Sequence, residues 1–140
     1  MNASMIRNRY VGDSVGTASP ARLVTMLYDR LVRDLTTGEA ALAAGDLHAA
    51  NGALIHAQEI VWELAAGLDP TKWSGGPALA ALYQFMLDEL LDANVKKDAA
   101  KVVSVRELVE PLRDAWHQAA ELAAGAAGAG SFATAAAVPA

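Results

Sequence analysis

The chain has 140 residues, of which 54% are hydrophobic but only 6% aromatic, and a formal net charge of −5. A single domain of this size can bury a core without metals or disulfides. Having no cysteine, it cannot be a disulfide-stapled fold, a thiol enzyme or a cysteine-ligated zinc or iron–sulfur protein. Its basic residues are scattered and outnumbered, so it lacks the positive stripe that nucleic-acid binding needs.

Alanine supplies 32 residues, and its helix propensity makes an all-α protein the first expectation. Residues 1–16 are short, polar and glycine-punctuated, with Ile6 and Tyr10 as isolated apolar anchors. Such a segment is too weak to fold alone and reads as a cap that docks on the body. It has no apolar core of the signal-peptide kind, and no apolar run in the chain reaches the ~18 residues needed to span a bilayer. A soluble, intracellular protein is expected, with no membrane insertion.

The first helix is expected to open at Ser19-Pro20, an N-cap serine followed by proline at the first helical position. Leu23, Val24, Leu27, Tyr28, Leu31 and Leu35 follow at helical spacing, and the helix fades near Ala43 to Gly45. Gly38 inside it costs ~1 kcal/mol against alanine. Asp46 then caps a second helix with the seam Leu47, Ala50, Leu54, Ala57, Val61, Leu64 and Leu68. Gly67 and Asp69-Pro70 end it, and Asp69 to Gly76 reads as the one sizeable loop.

A third helix is expected from Pro77 to Asn94 on the seam Leu79, Tyr83, Met86, Leu90 and Ala93. Asp98 caps a fourth, which carries Val102, Val105, Val109, Leu112 and Trp116 to about Ala124. Pro111 lies within it. Because the apolar spacing continues through the proline, a kink near residues 107–111 is expected rather than two helices. Residues 125–140 carry no charge and are mostly Ala and Gly, which reads as a disordered tail. The predicted architecture is an antiparallel up-and-down four-helix bundle over residues 17–124, with the N-terminal cap segment and the tail outside it.

Signals for catalysis are poor. His48, His56 and His117 lie on different segments. His56, Glu59 and Glu63 are spaced along one helix, but bundle metal sites use paired Glu-x-x-His motifs on two helices, and this chain has a single His-x-x-Glu. The three residues read as a solvated polar face, with a metal-dependent bundle enzyme as the remote alternative. Gly125 to Gly130 has glycines like a phosphate loop but no lysine after it. No metal site and no cofactor is expected.

The informative feature is surplus apolar surface. A bundle helix needs about three apolar positions in seven. The third helix adds Leu82, Phe85, Leu87 and Leu91 to its seam, and the second carries Ile55 and Trp62 beside its own. Helices apolar on more than one face are buried or bind something. A wider core, a homo-oligomeric interface and a groove for an amphipathic partner helix all satisfy this pattern.

The order of particular residues then matters. Tyr10, Val15, Thr17-Ala18-Ser19-Pro20, Leu23-Val24 and Met26-Leu27-Tyr28-Asp29 are followed by Ala57-Gln58-Glu59-Ile60-Val61, Glu63-Leu64 and Leu68-Asp69. Gly75-Gly76, Leu82-Tyr83, Met86, Leu90, Ala93-Asn94, Asp98 and Leu112-Arg113-Asp114-Ala115-Trp116 complete the series. Over residues 10–116 the chain resembles the flagellin export chaperones of the FliS family. Arg22 departs from the acidic residue frequent there, and Asp88-Glu89 stand where many relatives carry basic residues.

The resemblance implies a bundle without enzymatic activity. It would bind the disordered C-terminal segment of newly made flagellin, keep it monomeric and hand it to the flagellar type III export gate. The client becomes helical as it wraps around the bundle in apolar grooves, and the N-terminal segment covers part of that surface in the free chaperone. Ile6 and Tyr10 fall where that cap lies and take a client-contact or gating role. The other candidates are Ile55, Trp62, Leu82, Tyr83, Phe85, Met86, Leu87 and Leu91. Some of these are core and some groove; Leu87 and Leu91 are expected in the groove, and Phe85 exposed. Some members of the family have a further partner, a co-chaperone or an anti-sigma regulator. The chain is expected as a monomer or weak homodimer, and a homo-oligomeric scaffold without a flagellin client is the alternative.

Overall fold

The computed structural model describes residues 20–135, with side chains as far as residue 126. Four helices follow one another: α1 Pro20–Ala43, α2 Leu47–Gly67, α3 Gly76–Lys96 and α4 Ala99–Ala135. Each packs against its neighbours in sequence, and α1 packs against α4; no diagonal pair is in backbone contact among the described residues. That is a closed four-membered ring, the up-and-down bundle expected from four apolar seams joined by short connections.

The helix ends follow local chemistry. Pro20 is the first residue of α1, and the backbone amide of Asp46 donates back to the Ala41 carbonyl at 2.9 Å to close its far end. Gly45 makes that turn possible, because its φ of +74° is strained for any residue with a side chain. Asp46 caps α2 by accepting from the Ala49 amide at 3.1 Å. Pro77 sits in the first turn of α3. Lys97 leaves α3 in the left-handed conformation, and the Asp98 carboxylate accepts from the Ala100 amide at 3.0 Å as α4 begins.

The buried side chains are the predicted seams. Tyr28, Leu31 and Leu35 of α1 meet Leu54, Ala57, Val61 and Leu64 of α2, Leu79, Met86 and Leu90 of α3, and Val102, Val105 and Val109 of α4. Two tyrosines reach where the backbones do not. The hydroxyls of Tyr28 and Tyr83 hydrogen-bond at 2.5 Å across the α1–α3 diagonal. Burial pushes the Tyr28 hydroxyl above its ordinary pKa, a shift that its hydrogen bonds to Tyr83 and Trp116 oppose. The Trp116 ring lies 6.3 Å from that of Tyr28, partly buried at the edge of the core.

Three features differ from the sequence reading. Gly38 is buried, and a Cβ on it would stand 3.0 Å from the Leu54 side chain, so its propensity cost is set against a close approach of α1 and α2. Glu63 is 1% exposed, so it does not belong to a solvated face with Glu59. The fourth helix does not stop near Ala124 but continues to Ala135, unbroken at Pro111. Leu112 and Trp116 are the last residues of α4 packed on the core; beyond them His117 still pairs with Asp29 of α1, and the sequence is rich in alanine, the strongest helix former. Residues 136–140 of the expected tail lie outside the described residues.

Candidate functional site

The site is built on the outer flanks of α2 and α3. The Asn94 side-chain amide donates to the Asn51 side-chain oxygen at 2.9 Å, which marks the flank that each helix turns to the other. At about 100° per residue, Ile55 and Trp62 share the Asn51 flank of α2, and Leu87 and Leu91 share the Asn94 flank of α3. The structure therefore brings together four of the predicted residues, from two helices, along one groove. Ile55, Trp62 and Leu91 are 43%, 61% and 56% exposed, and Leu87 is partly buried at the floor.

Two residues that the sequence reading missed lengthen this strip. Leu47 lies on the same flank of α2, and Val95 is one turn beyond Leu91 on α3; they are 53% and 74% exposed. Leu47 had the spacing of a core residue, but it is the first residue of its helix and stands at the rim of the bundle. Val95 carried no signal beyond its i, i+4 relation to Leu91. From Leu47 to Trp62 the strip runs for about 22 Å at 1.5 Å per residue, close to four helical turns.

The other candidates separate. Tyr83 and Met86 are 2% and 0% exposed and belong to the core, so they lie outside the surface strip. Phe85 is exposed and Leu82 partly buried, and both lie on the opposite flank of α3, facing α4. That flank is identified by Lys101 of α4, which reaches Glu89 at 3.3 Å and Asp92 at 3.2 Å. Leu108 of α4 lies two turns from Lys101, on the same flank of that helix, and is partly exposed. Apolar surface thus flanks α3 on both sides. Ile6 and Tyr10 lie outside the described residues.

The remaining grooves are crossed by polar pairs. Between α1 and α4, Arg106 donates to Glu39 at 2.9 Å and to Glu110 at 2.5 Å, and His117 pairs with Asp29 at 2.7 Å. Clefts of about 360 and 310 Å³ on that seam are lined by these same residues. Between α1 and α2, Asp34 is buried and accepts from the His56 ring and from Arg30. His56 is therefore turned to α1 and away from Glu59. No group of three or more His, Asp or Glu among the described residues could hold a metal ion, and no described helix is long and apolar enough to cross a membrane.

Comparison with known proteins agrees with this picture. The family model described as flagellar protein FliS matches residues 2–123. The flagellar secretion chaperone FliS of Bacillus subtilis is 34% identical over 110 residues, covering 79% of this chain and 82% of the relative. That of Salmonella typhimurium is 37% identical over 112 residues, covering 77% and 82%. That of Vibrio cholerae is 30% identical over 111 residues, covering 77% and 80%. With the four-helix ring and the matched residues running nearly its whole length, this chain belongs to the FliS family of flagellar secretion chaperones.

Proposed function

We propose that this chain is a cytosolic chaperone, without catalytic activity, that binds the C-terminal segment of flagellin, prevents its premature polymerisation and delivers it to the flagellar type III export apparatus. The observation that carries this reading is the exposed apolar strip of Leu47, Ile55, Trp62, Leu91 and Val95 between α2 and α3. A strip of about four turns is suited to the apolar face of an amphipathic helix. The second apolar flank, at Leu82, Phe85 and Leu108, gives a client room to continue around α3 toward α4. In flagellin a segment with such a face is an aggregation hazard before assembly, and covering it removes the hazard. Folding on binding costs ordering entropy and moderates affinity, which suits a client that must be released.

Ile6 and Tyr10 act in this proposal as a removable cap or as client contacts, as the family resemblance implies. The test is to mix the protein with the C-terminal ~50 residues of flagellin from the same organism. Mass by light scattering should show a 1:1 complex, and far-ultraviolet circular dichroism should show more helix than the two spectra summed. A Tyr10→Ala variant should keep the fold and lose affinity. If the mixture stays unbound while the free protein forms stable oligomers, the strip is a self-association surface and the homo-oligomeric scaffold is the correct reading.

A further inference from the structure

We infer that the α2–α3 groove selects its client by charge as well as by apolar contact, taking a helix with a lysine or arginine near mid-length, beside its apolar face, between Glu59 and Asp88. The inference rests on the proposed binding of a flagellin segment and adds the chemistry of that segment. Glu59 stands two residues from buried Ala57 and from buried Val61, and Asp88 two residues from buried Met86 and from buried Leu90. On a helix of 3.6 residues per turn, that places both carboxylates opposite the core. The Asn51–Asn94 hydrogen bond sets the antiparallel register, which brings Glu59 and Asp88 within about 3 Å of the same level along the groove. They are the rims between which Ile55 and Leu91 lie toward one end and Trp62 toward the other.

The charges around them support the assignment. Helices α2 and α3 carry five carboxylates, Glu59, Glu63, Asp88, Glu89 and Asp92, and a single full cation, Lys96. Lys96 is held by Asp92 at 3.2 Å, and Lys101 of α4 neutralises Glu89 and Asp92 on the far flank. Glu63 is buried. Glu59 and Asp88 have no ion pair among the described residues, and Asp88 accepts only from the neutral Gln84 amide at 3.0 Å. Within α2, α3 and their loop the other cations stand at the ends of the strip: Lys97, whose ammonium donates to Asn94 at 2.7 Å, and Lys72 in the α2–α3 loop; Arg30 and Arg33 of α1 line the neighbouring α1–α2 cleft with His56, where Arg30 is held by Asp34. The middle of the groove is therefore apolar at its walls and anionic at both rims.

A helix that settles there strips water from the two carboxylates, and the loss is recovered only if the helix brings cationic donors. The same rims disfavour a second copy of this acidic chain. A two-fold contact through this face would set each Glu59 and Asp88 against like charges.

The experiment is a calorimetric titration with the C-terminal ~50 residues of flagellin from the same organism. It compares the wild type, the double variant Glu59→Lys/Asp88→Lys and Leu91→Asp. Each is run at about 0.1 M and about 1 M salt, where the screening length falls from about 10 to 3 Å. All substituted positions lie on the surface, and thermal unfolding establishes that each variant is folded. The inference predicts wild-type binding that weakens several-fold at high salt. It also predicts about tenfold weaker binding by the double variant at low salt, with little salt dependence left. Equal binding by the wild type and the double variant at both salts, with binding lost only in Leu91→Asp, overturns the charge selection and leaves the flagellin-segment reading standing. Absence of binding by the wild type itself overturns both.

Discussion

Replacing Trp62 by alanine isolates the strip from the rest of the bundle. The side chain is 61% exposed, so it contributes little to the core. A tryptophan has up to about 250 Å² to bury, which leaves roughly 150 Å² here for a partner to cover. At ~25 cal/mol/Å², full coverage stabilises a complex by close to 4 kcal/mol, and half coverage by ~2 kcal/mol. The lower figure is about 30-fold in affinity. Trp62→Ala should therefore bind the flagellin segment about 30-fold more weakly by calorimetry, while its thermal unfolding midpoint stays within a few degrees of the wild type. Trp73→Ala is the internal control: it removes a 52% exposed indole from the α2–α3 loop, off the strip, and should change affinity by less than about threefold. Unchanged affinity in Trp62→Ala, or equal losses in both variants, refutes the placement of the client between α2 and α3.

Four further expectations concern the scaffold. Tyr83→Phe and Tyr28→Phe should each destabilise by about 1–2 kcal/mol in denaturant unfolding, and the double variant should cost about 1 kcal/mol less than the sum, because the two hydroxyls satisfy each other. Burial holds the Tyr28 pKa above 10.0, so its contribution is fully present below pH 10 and is lost as the pH rises toward the folded value. Wild-type stability should accordingly fall more steeply above pH 10 than that of Tyr28→Phe. Pro111→Ala restores a helix amide at an exposed position of α4 and should raise stability by about 1–3 kcal/mol without weakening client binding. Lys101→Ala removes the hydrogen bonds from Lys101 that, with those from Lys96, hold the Asp92 carboxyl below its ordinary 3.8. The variant should be less stable than the wild type above that pH, and the gap should close as the pH falls below it.

The helices could be read from the sequence because each presents its seam to one shared core. Leu79, Tyr83, Met86, Leu90 and Ala93 recur at steps of three and four and are all buried. Asp46 was recognisable as a cap because a carboxylate just ahead of an apolar run has one good use there. Periodicity shows that a residue is off the seam; it does not show which neighbouring helix that flank faces. Ile55 and Trp62 of α2, and Leu87 and Leu91 of α3, become one surface only through a contact between distant residues, Asn51 with Asn94. Phe85 and Leu91 are both off the seam in the sequence, and only the fold shows that they lie on opposite flanks. Glu63 and Asp34 were not readable as buried, because a carboxylate in a helix is usually solvated and its burial depends on what stands across the bundle. The length of α4 was underestimated for a related reason: apolar spacing reports packing, whereas an Ala-rich stretch is helical by propensity and carries no seam to read.

The most direct test of this account is the heat capacity of binding. Titrating the full-length protein with the C-terminal ~50 residues of flagellin from the same organism, at several temperatures, should give a binding enthalpy that becomes more negative on warming. A large negative heat-capacity change is expected for a segment that folds as it covers roughly 1,000–3,000 Å². A temperature-independent enthalpy, or no binding heat at any temperature, would contradict the claim that this strip exists to fold and cover a flagellin segment.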